Sequence, residues 1–128
     1  MATIQNQLDE LNNFPQINES NLNKLKNSTA SNPQLLEEIF QSYIDESKEL
    51  IDEIKTGIEQ NNHELYYTAV HSLKGLSATI GCTRMFHLLK IMDSLNKENQ
   101  FSESQSCYKQ LEEVFSEAES IIKETILK

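Results

Sequence analysis

Glycine, proline and tryptophan are scarce in this 128-residue chain, with three Gly, two Pro and no Trp. So few turn-formers argue against a strand-rich or loop-rich fold and leave helices as the expected class. Basic residues are a minority, 11 Lys and Arg against 20 Asp and Glu, for a net charge of −9. A surface of that sign repels phosphate backbones and anionic lipid, so neither nucleic acid nor a membrane is expected as a partner. No apolar run approaches the roughly 20 residues that span a bilayer, and the opening M-A-T-I-Q-N-Q-L-D-E is too polar and acidic for a secretory signal. Cys82 and Cys107 lack C-x-x-C spacing. Without an export signal, both read as free thiols in a reducing, cytoplasmic compartment.

Several site chemistries are missing too. No E-x-x-H occurs, so the chain cannot build a di-iron bundle centre, and its Cys and His residues are not clustered as zinc requires. His63 and His87 read as surface residues, and no metal site is expected. Neither G-x-x-x-x-G-K-[ST] nor G-x-G-x-x-G is present, so nothing recognisable holds a nucleotide. No serine sits in a nucleophile elbow.

What is present is helical periodicity. Ile4, Leu8 and Leu11 predict a short amphipathic helix over 3–12. Phe14-Pro15 ends it, because the residue before proline avoids the α region. Leu22 and Leu25 mark a second short helix over 19–27, with Asn18 or Ser20 as cap. Asn32-Pro33 gives a cap and a first-turn proline for a long helix to about Gln60, roughly 40 Å at 1.5 Å per residue. Its stripe is Leu36, Ile39, Phe40, Tyr43, Ser47, Leu50, Ile51, Ile54 and Ile58, and Asp45, Glu46, Glu49, Asp52 and Glu53 make a solvated acidic outer face. With Asn62 as cap, a further helix runs from His63 to Ile80 and stops at Gly81 in a left-handed C′ position. Thr83 caps the next, which extends from Arg84 to about Asn96 with Met85, Leu88, Leu89, Met92 and Leu95 inward. After a polar turn over 97–100, Ser102 opens a last helix reaching nearly to the C-terminus. The expected fold is all-α: an antiparallel up-down four-helix bundle over 17–128, with an N-terminal extension or short helix over 1–16.

The stretch Val70–Cys82, V-H-S-L-K-G-L-S-A-T-I-G-C, organises the rest. On a helical wheel, Tyr66, Ala69, Val70, Leu73, Leu76, Ser77 and Ile80 gather on the buried side. His71 falls about 170° from the centre of that stripe. Lys74 and Gly75 follow it at i+3 and i+4, with Tyr67 and Thr68 one turn before and Ala78 two turns on. A glycine inside a helix costs about 1 kcal/mol relative to alanine. Its position beside an outward imidazole points to close approach of another group. A neutral imidazole is an available nucleophile at cellular pH.

His71, Lys74, Gly75, Ser77 and Gly81 resemble the H-x-x-K-G-x-S-x-x-x-G phosphoacceptor signature of histidine-containing phosphotransfer (HPt) domains. Val70 and Leu76 depart from it, standing where alanine and a small residue are common. The resemblance implies a phosphorelay intermediate in two-component signal transduction. His71 would accept a phosphoryl group from a receiver-domain aspartate and yield it to another. Lys74 would offset the phosphoryl charge, and Gly75 would admit the receiver's loops. Tyr67, Thr68 and Ala78 would floor the docking patch, with Arg84 near its edge. The implied partners are receiver domains of response regulators and hybrid histidine kinases, which would hold the Mg²⁺. The chain itself needs no cofactor, is not an enzyme with a nucleotide site, and is expected as a monomer. Two alternatives are a helical adaptor that binds receivers without carrying phosphate, and the phosphoacceptor module of a chemotaxis-type histidine kinase. Met1 and the final amphipathic helix favour a free-standing protein over that module.

Overall fold

Pro33 opens the longest helix among the described residues, 27 residues in length. In the computed structural model, which describes residues 3–95 and 100–127, the helices are α1 (Ile4–Asp9), α2 (Glu19–Ser28), α3 (Pro33–Glu59), α4 (His63–Ile80), α5 (Thr83–Ser94), α6 (Phe101–Gln105) and α7 (Tyr108–Thr125). There is no strand among the described residues. None of the described helices is long and apolar enough to cross a membrane. α3 packs on α4, α4 on α5, α5 on α7 and α7 back on α3, which closes the ring of a four-helix bundle. The all-α bundle expected from periodicity is therefore found.

Local chemistry explains most boundaries. Asn18 and Asn62 cap α2 and α4 with side-chain oxygens that accept from the backbone N–H groups of Asn21 and Leu65. Pro33 sits in the first turn of α3, and Asn32 makes no side-chain cap bond there. Gly81 ends α4 at φ 90°, as expected of a left-handed C′ residue. A side chain at Gly81 would also strike Asn21, whose Nδ2 lies 2.6 Å from the position of an added Cβ.

Four expectations are corrected. Thr83 does not cap α5: Cys82 holds that position, and Thr83 Oγ1 turns back to donate to Gly81 O at 3.4 Å. The first amphipathic helix tightens after Asp9 into a 3₁₀ turn over Glu10–Asn13, which buries Leu11. His87 is not a plain surface residue. It is half-buried, its ring stacked on Phe14 at 3.7 Å between centroids. The last helix is broken in two, because Ser104 is drawn into the core. Its Oγ donates to Met92 O at 2.8 Å and accepts from the Tyr66 hydroxyl at 2.8 Å. Ser106 Oγ bonds Glu103 O, and the chain turns at Cys107 before α7 starts. The expected end of α5 at Asn96 and the turn over 97–100 lie largely outside the described residues.

The core joins residues of α3, α4, α5 and α7, with Phe40, Ile44, Ile54, Tyr66, Val70, Leu73, Met85, Leu88, Leu89, Met92, Leu111 and Ile122 all fully buried. Gly57 brings α3 close to α4, for a Cβ there would lie 2.8 Å from Tyr66 Cβ. Tyr43 and Ser77 exchange a 2.8 Å hydroxyl bond across the same helix pair. Cys82 and Cys107 are free and buried, and burial pushes the Cys82 thiol up to about 11.

Candidate functional site

α4 turns Tyr66, Ala69, Val70, Leu73, Ser77 and Ile80 into the core, and the 3.6-residue period then forces His71 and Gly75 outward. The His71 side chain is 73% exposed, which leaves the imidazole open to a macromolecule. Above Gly75 the surface is empty. A Cβ built there meets nothing within 4 Å. Thr68 and Ala78 are exposed on the same helix, and Ser72 beside His71 is exposed too.

The charge at the site is shared among three side chains. Lys74 Nζ donates to Asp93 Oδ2 at 2.7 Å, and His71 Nδ1 lies 3.6 Å from that same oxygen. Asp93 belongs to the last turn of α5 and went unnoticed in the sequence. A register count could have found it. Gly81 and Cys82 make the turn between antiparallel α4 and α5, so residues about equally far before and after that turn face each other. With Nδ1 on the Asp93 side, Nε2 is the ring nitrogen directed away from that carboxylate.

Two clefts flank the imidazole. Toward α5 the walls are His63, Glu64, Tyr67, Thr68, Ser72 and Asp93. Toward α3 they are Glu46, Glu49, Leu50, Glu53, Ser72, Gly75, Leu76 and Thr79. The acidic face of α3, expected only as a solvated surface, thus reaches the histidine.

Of the other expected residues, Tyr67 reaches the site from below and Arg84 does not reach it. Tyr67 is 7% exposed and lies beneath the patch, its hydroxyl buried without a hydrogen-bond partner among the described residues. Burial raises its pKa, and the nearby Asp93 charge adds to the rise. Arg84 lines neither cleft. Its Nε donates to Phe14 O at 2.9 Å, its backbone N–H to Pro15 O at 3.0 Å, and its Nη1 stands 3.6 Å from Glu117. The guanidinium ties the N-terminal segment to α7 and is thereby withheld from the histidine. Among the described residues no group of three or more His, Cys, Asp and Glu side chains is arranged to hold a metal ion.

An exposed nucleophile on a rigid helix, a lysine one turn away and an open glycine can take a compact group from a bulky partner. A family model, that of the Hpt domain, matches residues 38–121, a span that contains α4, α5 and the whole constellation around His71. No curated protein and no solved structure gives a significant match to the chain.

Proposed function

The chain belongs to the Hpt domain family, the phosphocarrier modules of two-component phosphorelays, and from that premise we propose that His71 carries the phosphoryl group between receiver domains. The observation that supports this reading most is the 73% exposure of the His71 side chain beside the empty space over Gly75. His71 Nε2 attacks the phosphorus of a receiver's aspartyl phosphate. The N–P bond forms while the P–O bond to the aspartate breaks, and the carboxylate leaves with the electron pair. Nδ1 keeps its proton, and Asp93 opposite it offsets the positive charge that grows on the ring. Transfer to a second receiver reverses these steps.

Lys74 is the cation nearest the acceptor on α4, and Asp93 holds it in reserve. A phosphoryl group on Nε2 offers it a second anion one turn away. Thr68, Gly75 and Ala78 give the receiver a flat landing, and Tyr67 supports that surface from below. The divalent cation and most of the acidic pocket belong to the receiver, so this chain supplies the nucleophile and the docking face without spending nucleotide. The setting is cytoplasmic, where receivers and sensor kinases present their phosphorylated domains.

The test is phosphoryl transfer from a panel of phosphorylated receivers to the wild-type chain and to His71→Gln. Acid-labile, alkali-stable label on the wild type alone supports the relay. Binding of receivers without label on either chain favours the adaptor.

A further inference from the structure

The two clefts beside His71 differ in chemistry. The one toward α5 is lined by the histidine's own charge partner, Asp93, whose carboxylate is engaged with Lys74. The one toward α3 has an apolar floor, half-buried Leu50 and Leu76, under a wall of three carboxylates, Glu46, Glu49 and Glu53. Spaced at i, i+3 and i+7, these acids stand in one row on α3. All three are exposed, and none makes an ion pair among the described residues. The apolar floor does not stop at the cleft. It runs along the α3–α4 seam through Ile39, Tyr43 and Ile80 to Leu35, which at 41% is the exposed large hydrophobic residue of the described chain, with Glu38 on its rim.

We propose that the receiver seats on the α3 side of His71, and that the Glu46–Glu49–Glu53 row selects receivers with Lys or Arg around an apolar contact patch. The proposal rests on the relay reading and adds to it which face docks and which partner chemistry fits. Charge complementarity picks the occupant. A second copy of this chain, at net charge −9, would bring like charge to the wall, as would anionic lipid. A basic rim satisfies the three carboxylates, and the Leu50–Leu76 floor takes the apolar centre, the usual division of labour in a protein interface. Long-range attraction then appears mainly in the association rate and fades with salt.

The experiment compares transfer from one competent phosphorylated receiver to three chains: wild type, the triple variant Glu46→Lys/Glu49→Lys/Glu53→Lys, and a control, Glu112→Lys/Glu113→Lys/Glu124→Lys. The control makes the same charge change with exposed residues of α7, diagonal to α4 in the ring. The α3 variant is expected to slow transfer about tenfold or more at low ionic strength, with the deficit shrinking at about 0.5 M salt, where the Debye length falls below ~5 Å. The control stays within about threefold of wild type. Direct labelling of His71 by phosphoramidate, which needs no docking, proceeds equally in all three and shows that the site is intact. Equal slowing by both variants reduces the effect to net charge and overturns the proposal, as does a triple variant that transfers like wild type. If phosphoramidate labels the wild type and no receiver does, the relay reading itself falls, a result distinct from a working relay indifferent to α3.

Discussion

One carboxylate oxygen, Asp93 Oδ2, stands between the two residues on which phosphoryl chemistry depends, 2.7 Å from Lys74 Nζ and 3.6 Å from His71 Nδ1. Its negative charge repels a phosphoryl group and engages the lysine that would stabilise one. Asp93→Asn keeps an acceptor for Nδ1 and removes the charge. The phosphohistidine is then expected to gain about 0.5–1 kcal/mol, a two- to fivefold shift of the transfer equilibrium toward this chain. Radiolabel partition between chain and receiver at equilibrium measures it, and an unchanged ratio would show that Lys74 does not sense the phosphoryl group. Gly75 permits a cleaner separation of stability from function. Because nothing lies within 4 Å of a Cβ there, Gly75→Ala should stabilise the isolated chain by about 1 kcal/mol, seen as a higher melting temperature. The same methyl meets the incoming receiver, so transfer should slow about tenfold or more. A stabilised variant with wild-type transfer rates sinks the close-approach argument.

The two glycines inside the long helices have opposite roles at the level of elements. Gly57 is buried where α3 crosses the start of α4, and a Cβ at that position would lie within 2.9 Å of Tyr66 Cα, Cβ and N. Backbone cannot yield as a flexible side chain can. Gly57→Ala should therefore cost about 1–3 kcal/mol despite its better helix propensity, and a lower denaturant midpoint would register the loss. A gain in stability would mean that the helices separate freely. Sequence periodicity could place α3 and α4 almost to the residue, since capping asparagines, a first-turn proline and a left-handed glycine are local signals. It also put His71 outward, because an apolar stripe fixes the opposite pole of a helix. It could not distinguish Gly57 from Gly75, as the difference lies in what a neighbouring helix does. For the same reason it missed the break before α7, where Ser104 answers to Met92 and Tyr66 on other helices, and it left Arg84 near a site from which Phe14 and Glu117 withhold it.

At the scale of the whole molecule, stability depends on pH through terms of opposite sign. With 20 acidic against 11 basic residues, the chain repels itself near neutrality, and acidification toward its pI of about 4.7 relieves that repulsion. Against this stand, among the described residues, two groups whose pKa is lowered in the fold. Desolvation under Phe14, then the Lys90 charge, lowers His87, while Glu10 stands on the same cleft as the nearby anion. Its folded pKa is below its unfolded one, so its contribution is complete above the ordinary imidazole range and is lost as pH falls through it. Glu119 is lowered chiefly by the Lys48 ammonium 2.9 Å from its Oε2, with Lys123 at 3.0 Å from the same oxygen, and its contribution disappears only in the carboxylate range. The two windows separate the groups. Between about pH 7 and 5.5 only the histidine loses stabilisation. His87→Gln cannot titrate, so its melting temperature relative to wild type should rise steadily across that interval and level off below it. A constant offset from pH 8 to 5 would show that the Phe14–His87 stack tolerates the charge. The clamp that joins the N-terminal segment to α5 would then have no part in the acid response, leaving relief of repulsion and Glu119 to decide it.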